Sequence, residues 1–443
     1  MPRDGSGIYT TPVGTTAVPD TTIESAKYNN NVADVAADLN APRPIVAGGT
    51  GANNAVDAAI NLGVVSGKTA ITYTDAEKAV ARNNIAAAPL DALAYNGMQI
   101  NGSMEVSQEN GTTDVLVSNT SKNVIDNWRL HSGGVQTVGG QQVTSSAPGF
   151  NKVLLMYVSV VNNAPAANDH CFWSHYLEGY RVARLAWGTA NASPITISFW
   201  VYSTKAGTFS GAVKSPAGAR TYIFTYTISV AAVWEYKSIA VPGDIAGTWA
   251  KDNTAGMSVG LTMMMGTTYA GAPGSWLAAD LWGTTATPNM TTGGSSFYVT
   301  GFTILPGTQA PTAAQSPLIM RPYDQELLTC QRYYEQSTSS PAYTANDNSY
   351  PLYVPATVVS GATYATPRFT AIKRTTPTVV TYPYTTPTNT GRSSNNSGVD
   401  QAALSASVSI ITPKGFRITN GAAVDMNVTF NTVFVNWIAD ARL

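Results

Sequence analysis

Seven period-two segments lie between residues 153 and 305 with no long helical pattern among them, and they constrain this chain more than any other feature. They are 153–161, 169–177, 195–203, 219–229, 233–241, 256–265 and 296–305. Alternating side chains with turn signals every ten residues or so predict antiparallel strands buried on one face. In 256–265 the residues Met257, Val259, Leu261, Met263 and Met265 point one way. Such a run of strands predicts a mainly β chain with an antiparallel sandwich at its centre, most simply a jelly roll.

At 443 residues the chain exceeds one ordinary core. Composition shifts divide it into an arm and helix (1–47), Ala-rich short helices (48–95), the β-domain (96–320), a connector helix (321–335) and a second β-domain (336–443). Charged residues make up 12%, about half the share typical of soluble domains. A surface so poor in charge predicts burial against copies of the chain or a large assembly. The net charge of −1 and the lack of any Lys/Arg run argue against a nucleic-acid partner. No apolar run approaches the ~20 residues of a membrane span, and the opening Met-Pro-Arg-Asp-Gly has no signal core. Cytoplasmic synthesis without membrane insertion is the expectation. Cys171 and Cys330 fall in different units, which predicts two reduced, buried thiols and leaves an interchain bond open in an oxidising medium.

The first 22 residues, rich in Gly, Thr and Pro, read as an extended arm that must lie on a partner. A helix is predicted over 22–39 with Val32, Val35, Ala36 and Leu39 on one face. The glycines of Gly48-Gly-Thr-Gly-Ala52 suggest a phosphate loop, but no strand precedes them and no Lys-Ser/Thr follows at the right spacing. Gly63 to Thr69 fails too, with one residue too few between its glycines. Residues 58–64 and 81–87 instead match each other as the ends of short helices, with Thr74 and Glu77 forming a capping box for the second. Helices this small bury too little alone, so self-association is expected.

The run from Arg321 to Glu335 is the strong helix signal of the C-terminal two thirds: Asp324 can cap it, and Leu327, Leu328, Gln331 and Tyr334 recur at helical spacing. Beyond it, strands are predicted near 352–359, 369–373, 378–384, 407–411 and 425–438. In the last, Met426, Val428, Phe430, Thr432, Phe434 and Ile438 share a face. Residues 385–400 read as a long exposed loop.

Candidate sites are few. In Asp169-His170-Cys171-Phe-Trp-Ser-His175 the strand period puts Cys171, Trp173 and His175 on one face and His170 on the other, which argues against a metal. Glu178, Asp244 and Asp280 are the acids to nominate for glycoside hydrolysis, yet no spacing selects a pair and turn or capping roles fit them better. No catalytic residue, metal or cofactor is assigned. Sugar binding without catalysis needs flat aromatic faces and a few polar groups. The loop 269–282, with Trp276 and Trp282, and the loop tyrosines Tyr343, Tyr350, Tyr353, Tyr382 and Tyr384 supply both. Trp200 and Trp234 are read as core.

Several stretches resemble bacteriophage tail fibres. Arg321-Pro-Tyr-Asp-Gln-Glu-Leu-Leu-Thr-Cys-Gln-Arg-Tyr-Tyr-Glu335 is similar to an RPYxQELxxCQRYYE signature of that family. Met-Pro-Arg-Asp-Gly-Ser-Gly-Ile-Tyr-Thr and the helix after it resemble its virion-attachment segment, and the GGTGA and YTDAEKAVARNNIAA patterns its shaft repeats. HYLEGYRVARLAWG, ITISFWVYS and FYVTGFTILPG resemble its carbohydrate-binding-like jelly roll. The resemblance implies an elongated homotrimeric virion fibre, attached to baseplate, tail or neck proteins through its N-terminus (Ile8, Tyr9, Val32, Val35, Leu39), that binds host surface polysaccharide. A structural collar or neck whisker, or a glycan depolymerase, are the alternatives it leaves.

Overall fold

A computed structural model describes residues 22, 24–40, 49–50, 52, 57–58, 97–216, 220–338, 352–355, 363–383, 390–395, 400–420 and 432–443. The chain divides into two units, Met1–Ala88 and Pro89–Leu443.

In the first unit, helix α1 (Ser25–Asn40) contains no Gly or Pro. Its apolar face is open: Tyr28, Val32 and Val35 are 61%, 49% and 37% exposed. Ile8, Tyr9, the side chain of Leu39 and the Thr74–Glu77 capping pair lie outside the described residues, as does nearly all of 48–95.

The second unit is mainly β. Strands β1 (Val115–Ile125), β2 (Trp128–Thr144), β3 (Lys152–Val160), β4 (His170–Glu178), β5 (Ile195–Ser203), β6 (Gly207–Lys214), β7 (Thr221–Ile228), β8 (Glu235–Val241), β9 (Ala255–Met265), β10 (Trp276–Leu277) and β11 (Ser296–Pro306) form one curled sheet. Its order is β10-β7-β6-β9-β4-β2-β3-β11-β5-β8, with β1 paired to β2. The first half of β2 pairs with β4 and the second half with β3, so β2 leaves one layer and enters the other. Gly134 makes that corner at φ +119°, where a Cβ would strike the Asp169 carboxylate, and Asn119 at φ 46° lets β1 follow through a register shift. The result is a front layer (β10-β7-β6-β9-β4-β2) and a back layer (β2-β3-β11-β5-β8).

Alternation explains what fills the space between the layers. Met257, Val259, Leu261 and Met263 of β9 meet Trp128, Trp173, Phe199, Phe209, Phe297 and Phe302, all essentially buried. Cys171 belongs to this core and Cys330 to a smaller one; both are free, and burial pushes both thiols well up.

Helix α2 (Tyr323–Gln331) is shorter than the sequence suggested, because residues 334–336 turn into a strand. Its N-cap is Pro322 and no side chain caps it, so Asp324 serves only as first-turn charge. The buried face is also displaced: Glu326 and Cys330 face inward while Leu328 is 49% exposed. Cys330 and Tyr333 pack with Ile100 and Val106, and Leu327 and Leu443 close over them.

Beyond α2, β12 (Tyr334–Gln336), β13 (Leu352–Pro355), β15 (Thr378–Tyr382) and β16 (Arg392–Asn395) all pair with the final strand β19 (Thr432–Asp440). β16 continues through β17 (Asp400–Thr412) and β18 (Gly415–Asn420) to β14 (Thr363–Ala365). Val435, Trp437 and Ala439 of β19 pack in the core of this sheet; of the face read in the sequence, Ile438 is half-buried, and Met426, Val428, Phe430 and the side chains of Thr432 and Phe434 lie outside the described residues. Both faces of that strand carry apolar residues, so periodicity alone could not say which is inside. The 369–373 segment is not a strand; Phe369 reaches the core from irregular backbone.

Candidate functional site

The two tryptophans of the 269–282 loop are not brought together as a platform. Trp276 forms β10 on β7 and packs edge-on against Trp187 and Trp249 at 5.3 and 5.6 Å between ring centroids. Its Nε1 donates to Pro242 O at 3.0 Å, and Arg220 lies above it, tied to buried Asp244 through two hydrogen bonds of 2.9 and 2.6 Å. Trp282 sits on the outer face of the front layer. Phe172 stacks on it at 4.3 Å, and Lys214 Nζ lies 3.9 Å from its centroid. Two groups that close to one ring cannot share a face, so both faces of Trp282 are covered. The row continues across the sheet, His131 stacking on Phe172 at 4.3 Å.

His131 is the nearest thing to a catalytic group in this row. Its Nδ1 is 2.6 Å from Ser121 Oγ and its Nε2 is 2.6 Å from Ser174 Oγ. Burial first, with Arg129, His170 and Lys214 adding, pushes the ring down to about 3. Burial also lowers Lys214, to about 7, although Asp280 pairs with it.

The three nominated acids are each spent on a different cation: Glu178 on Arg332 at 3.0 Å, Asp244 on Arg220 and Asp280 on Lys214. In the His/Cys segment, Cys171 and His175 are buried; Ile100 N–H donates to His175 Nε2 at 3.2 Å and His175 Nδ1 bonds Asn127 O at 2.9 Å. His170 lies against Tyr269 instead. Among the described residues no group of three or more His, Cys, Asp or Glu is placed to hold a metal. Tyr382 is half-buried on β15, Tyr353 lies on β13, and Tyr343, Tyr350 and Tyr384 are outside the described residues.

A different aromatic surface emerges on the outer face of the back layer. Tyr298 of β11 is directly opposite Tyr202 of β5, and Trp234 enters β8 beside them. Their centroids are 5.1, 5.7 and 6.3 Å apart, and all three residues are half-buried. Trp234, read as core, is half-buried and lies outside the main core cluster. Its Nε1 donates to Ser146 Oγ at 2.9 Å, while the hydroxyls of Tyr202 and Tyr298 take no partner among the described residues. Tyr157 of β3 extends the surface: its ring lies over Gly139, where a Cβ would come within 2.3 Å, and its hydroxyl donates to Asp114 at 2.5 Å. That bond holds the phenol up, at about 12. The sequence signal was the even parity of Tyr202 and Tyr298 against the buried odd positions of their strands.

No protein-family model matches the chain, and no curated protein matches it. Among solved structures it is similar to a family 11 carbohydrate-binding module from Clostridium thermocellum in complex with a mixed-linked tetrasaccharide (13% identity, 45% of this chain and 98% of that one, TM-score 0.23). It is also similar to the enzymatically active domain of tailspike protein 4 of bacteriophage CBA120 (10%, 49% and 24%, TM-score 0.24) and to xylanase modules from Clostridium thermocellum complexed with xylohexaose (14%, 42% and 27%, TM-score 0.22). The chain thus spans about a quarter of the tailspike and xylanase chains. Overlaps of this size carry no inference about ligand or activity.

Proposed function

We propose that this chain is a bacteriophage tail-fibre protein that adheres, without catalysis, to glycan on the host surface. The observation that carries the glycan reading is the Tyr202–Trp234–Tyr298 surface. Half-buried rings held on a sheet, edged by unspent hydroxyls, suit the apolar face and hydroxyl groups of a sugar. The virion placement draws on the resemblance of the N-terminal, shaft and connector segments to tail fibres.

The partner reading is a homotrimer carried on other virion proteins. Tyr28, Val32 and Val35 follow one another at spacings of four and three along α1 and stay open to solvent, a stripe suited to other copies of the same helix. Three weak sugar sites on one fibre then act together through effective concentration.

The test is binding of the full-length chain to an array of bacterial surface polysaccharides. Tyr202→Ala, Trp234→Ala and Tyr298→Ala should each weaken the strongest signal by roughly five- to ten-fold, the loss of about 1 kcal/mol of aromatic contact. A triple variant with a normal melt and undiminished binding overturns the site. Newly released reducing ends on incubation with the bound polysaccharide overturn the non-catalytic reading.

A further inference from the structure

A cleft of about 630 Å³ opens where the jelly roll, α2 and the end of β12 meet. Tyr323, Leu327 and Gln331, spaced four apart, form one ridge of α2 and one wall of the cleft. The jelly roll supplies Glu105, Ser107 and Gln142 opposite.

Several polar groups here are unspent. Ser107 Oγ is buried and has no hydrogen-bond partner among the described residues. The Tyr323 hydroxyl and the Gln331 amide also take none among the described residues, and Tyr323 is 55% exposed. Gln142 gives its Nε2 to Met104 O at 2.7 Å, leaving Oε1 without a partner among the described residues. The Ser107 hydroxyl thus keeps its donor and acceptor capacity unspent at the wall of the cleft. Among the described residues the only charge on the wall is Glu105, already accepting from Ser103 Oγ at 3.2 Å and Asn151 Nδ2 at 3.4 Å, and no cation lines the cleft.

We infer that this cleft is a binding site for a neutral, polyhydroxylated ligand of one or two sugar rings. Amides and hydroxyls match the donors and acceptors of a sugar, the Tyr323 ring offers its apolar face a surface, and Glu105 disfavours anions. One carboxylate without others is too little for a cation. The inference shares its ligand class with the function proposed above but none of its residues, so the two stand or fall separately.

The experiment is ligand-observed saturation-transfer NMR on the full-length protein with maltose, methyl β-galactoside and chitobiose as probes, and citrate and spermidine as charged controls. At least one neutral sugar should bind, and Tyr323→Ala and Gln331→Ala should each reduce its affinity about five- to ten-fold. Tyr202→Ala with Trp234→Ala should leave this component unchanged. Gln331 lies on the open ridge, so Gln331→Ala decides the matter if Tyr323→Ala folds poorly. The inference is overturned if no neutral sugar binds, if citrate or spermidine binds the cleft instead, or if only the back-layer variants weaken binding. That last result would leave the back-layer site intact.

Discussion

Trp282 stands over Gly260, so that a Cβ at residue 260 would come within 2.9 Å of the indole ring. The glycine is what allows a large ring to wedge between Phe172 of β4 and Lys214 of β6. Gly260→Ala should therefore cost about 1–3 kcal/mol in urea unfolding, the usual penalty for overpacking. In a Trp282→Ala background the same change should cost less, because only the close approach to Trp173 O at 3.0 Å is left. Equal costs in both backgrounds would mean that the indole does not set the requirement.

The connector signature works as a fastener, residue by residue. Arg321 donates to Gly97 O at 2.6 Å and Gln99 O at 2.8 Å and pairs with buried Glu326, which also accepts from Asn101 N–H at 2.8 Å. Arg332 holds Glu178 of β4, and Glu335 holds Lys373 and Thr370. Arg321→Ala leaves the Glu326 charge buried with two carbonyls unpaired, and should destabilise the two-layered sheet and α2 by about 3–5 kcal/mol. Loss below 1 kcal/mol by chemical denaturation would show that the carboxylate finds water instead.

These fasteners also show what sequence could and could not convey. The β-rich centre was legible because Met257, Val259, Leu261 and Met263 alternate without a break. β2 was not, because Gly133, Gly134, Gly139 and Gly140 replace the apolar alternation with room for rings above them and for the corner between layers. β6, which starts at Gly207 and has Gly211 under Phe224, was hidden for the same reason. At the sites, aromatic content marked the 269–282 loop, but exposure depends on neighbours remote in sequence: Phe172 and Lys214 cover Trp282, whereas Tyr202, Trp234 and Tyr298 converge from three strands.

Stability should fall on acidification. Burial holds His131 at about 3 and His175 at about 4, below the ordinary 6.5, so the unfolded chain takes up both protons first and stability is lost as pH drops below about 6.5. Asp126 works the other way: burial raises it from 3.8 to about 6, and its protonation in the folded state favours folding between those values. Two protons oppose one, so the urea midpoint should decline from pH 7 to pH 4.5. A midpoint that climbs over that range would mean Asp126 outweighs both histidines.

The open stripe of α1 leads to the last expectation. Tyr28, Val32 and Val35 place apolar side chains at heptad spacing on a helix of 16 residues, too short to be stable alone in water. Association with copies of itself would bury the stripe and supply the missing stability. Val32→Asp with Val35→Asp puts two charges into that seam without touching the core residues of the β-sheet. Analytical ultracentrifugation of the full-length protein at micromolar concentration should give a trimer for the parent, and the double variant should dissociate at least ten-fold more readily, the equivalent of 1.4 kcal/mol or more. A parent that sediments as a monomer, or a variant trimer of unchanged strength, would place any self-association elsewhere in the chain.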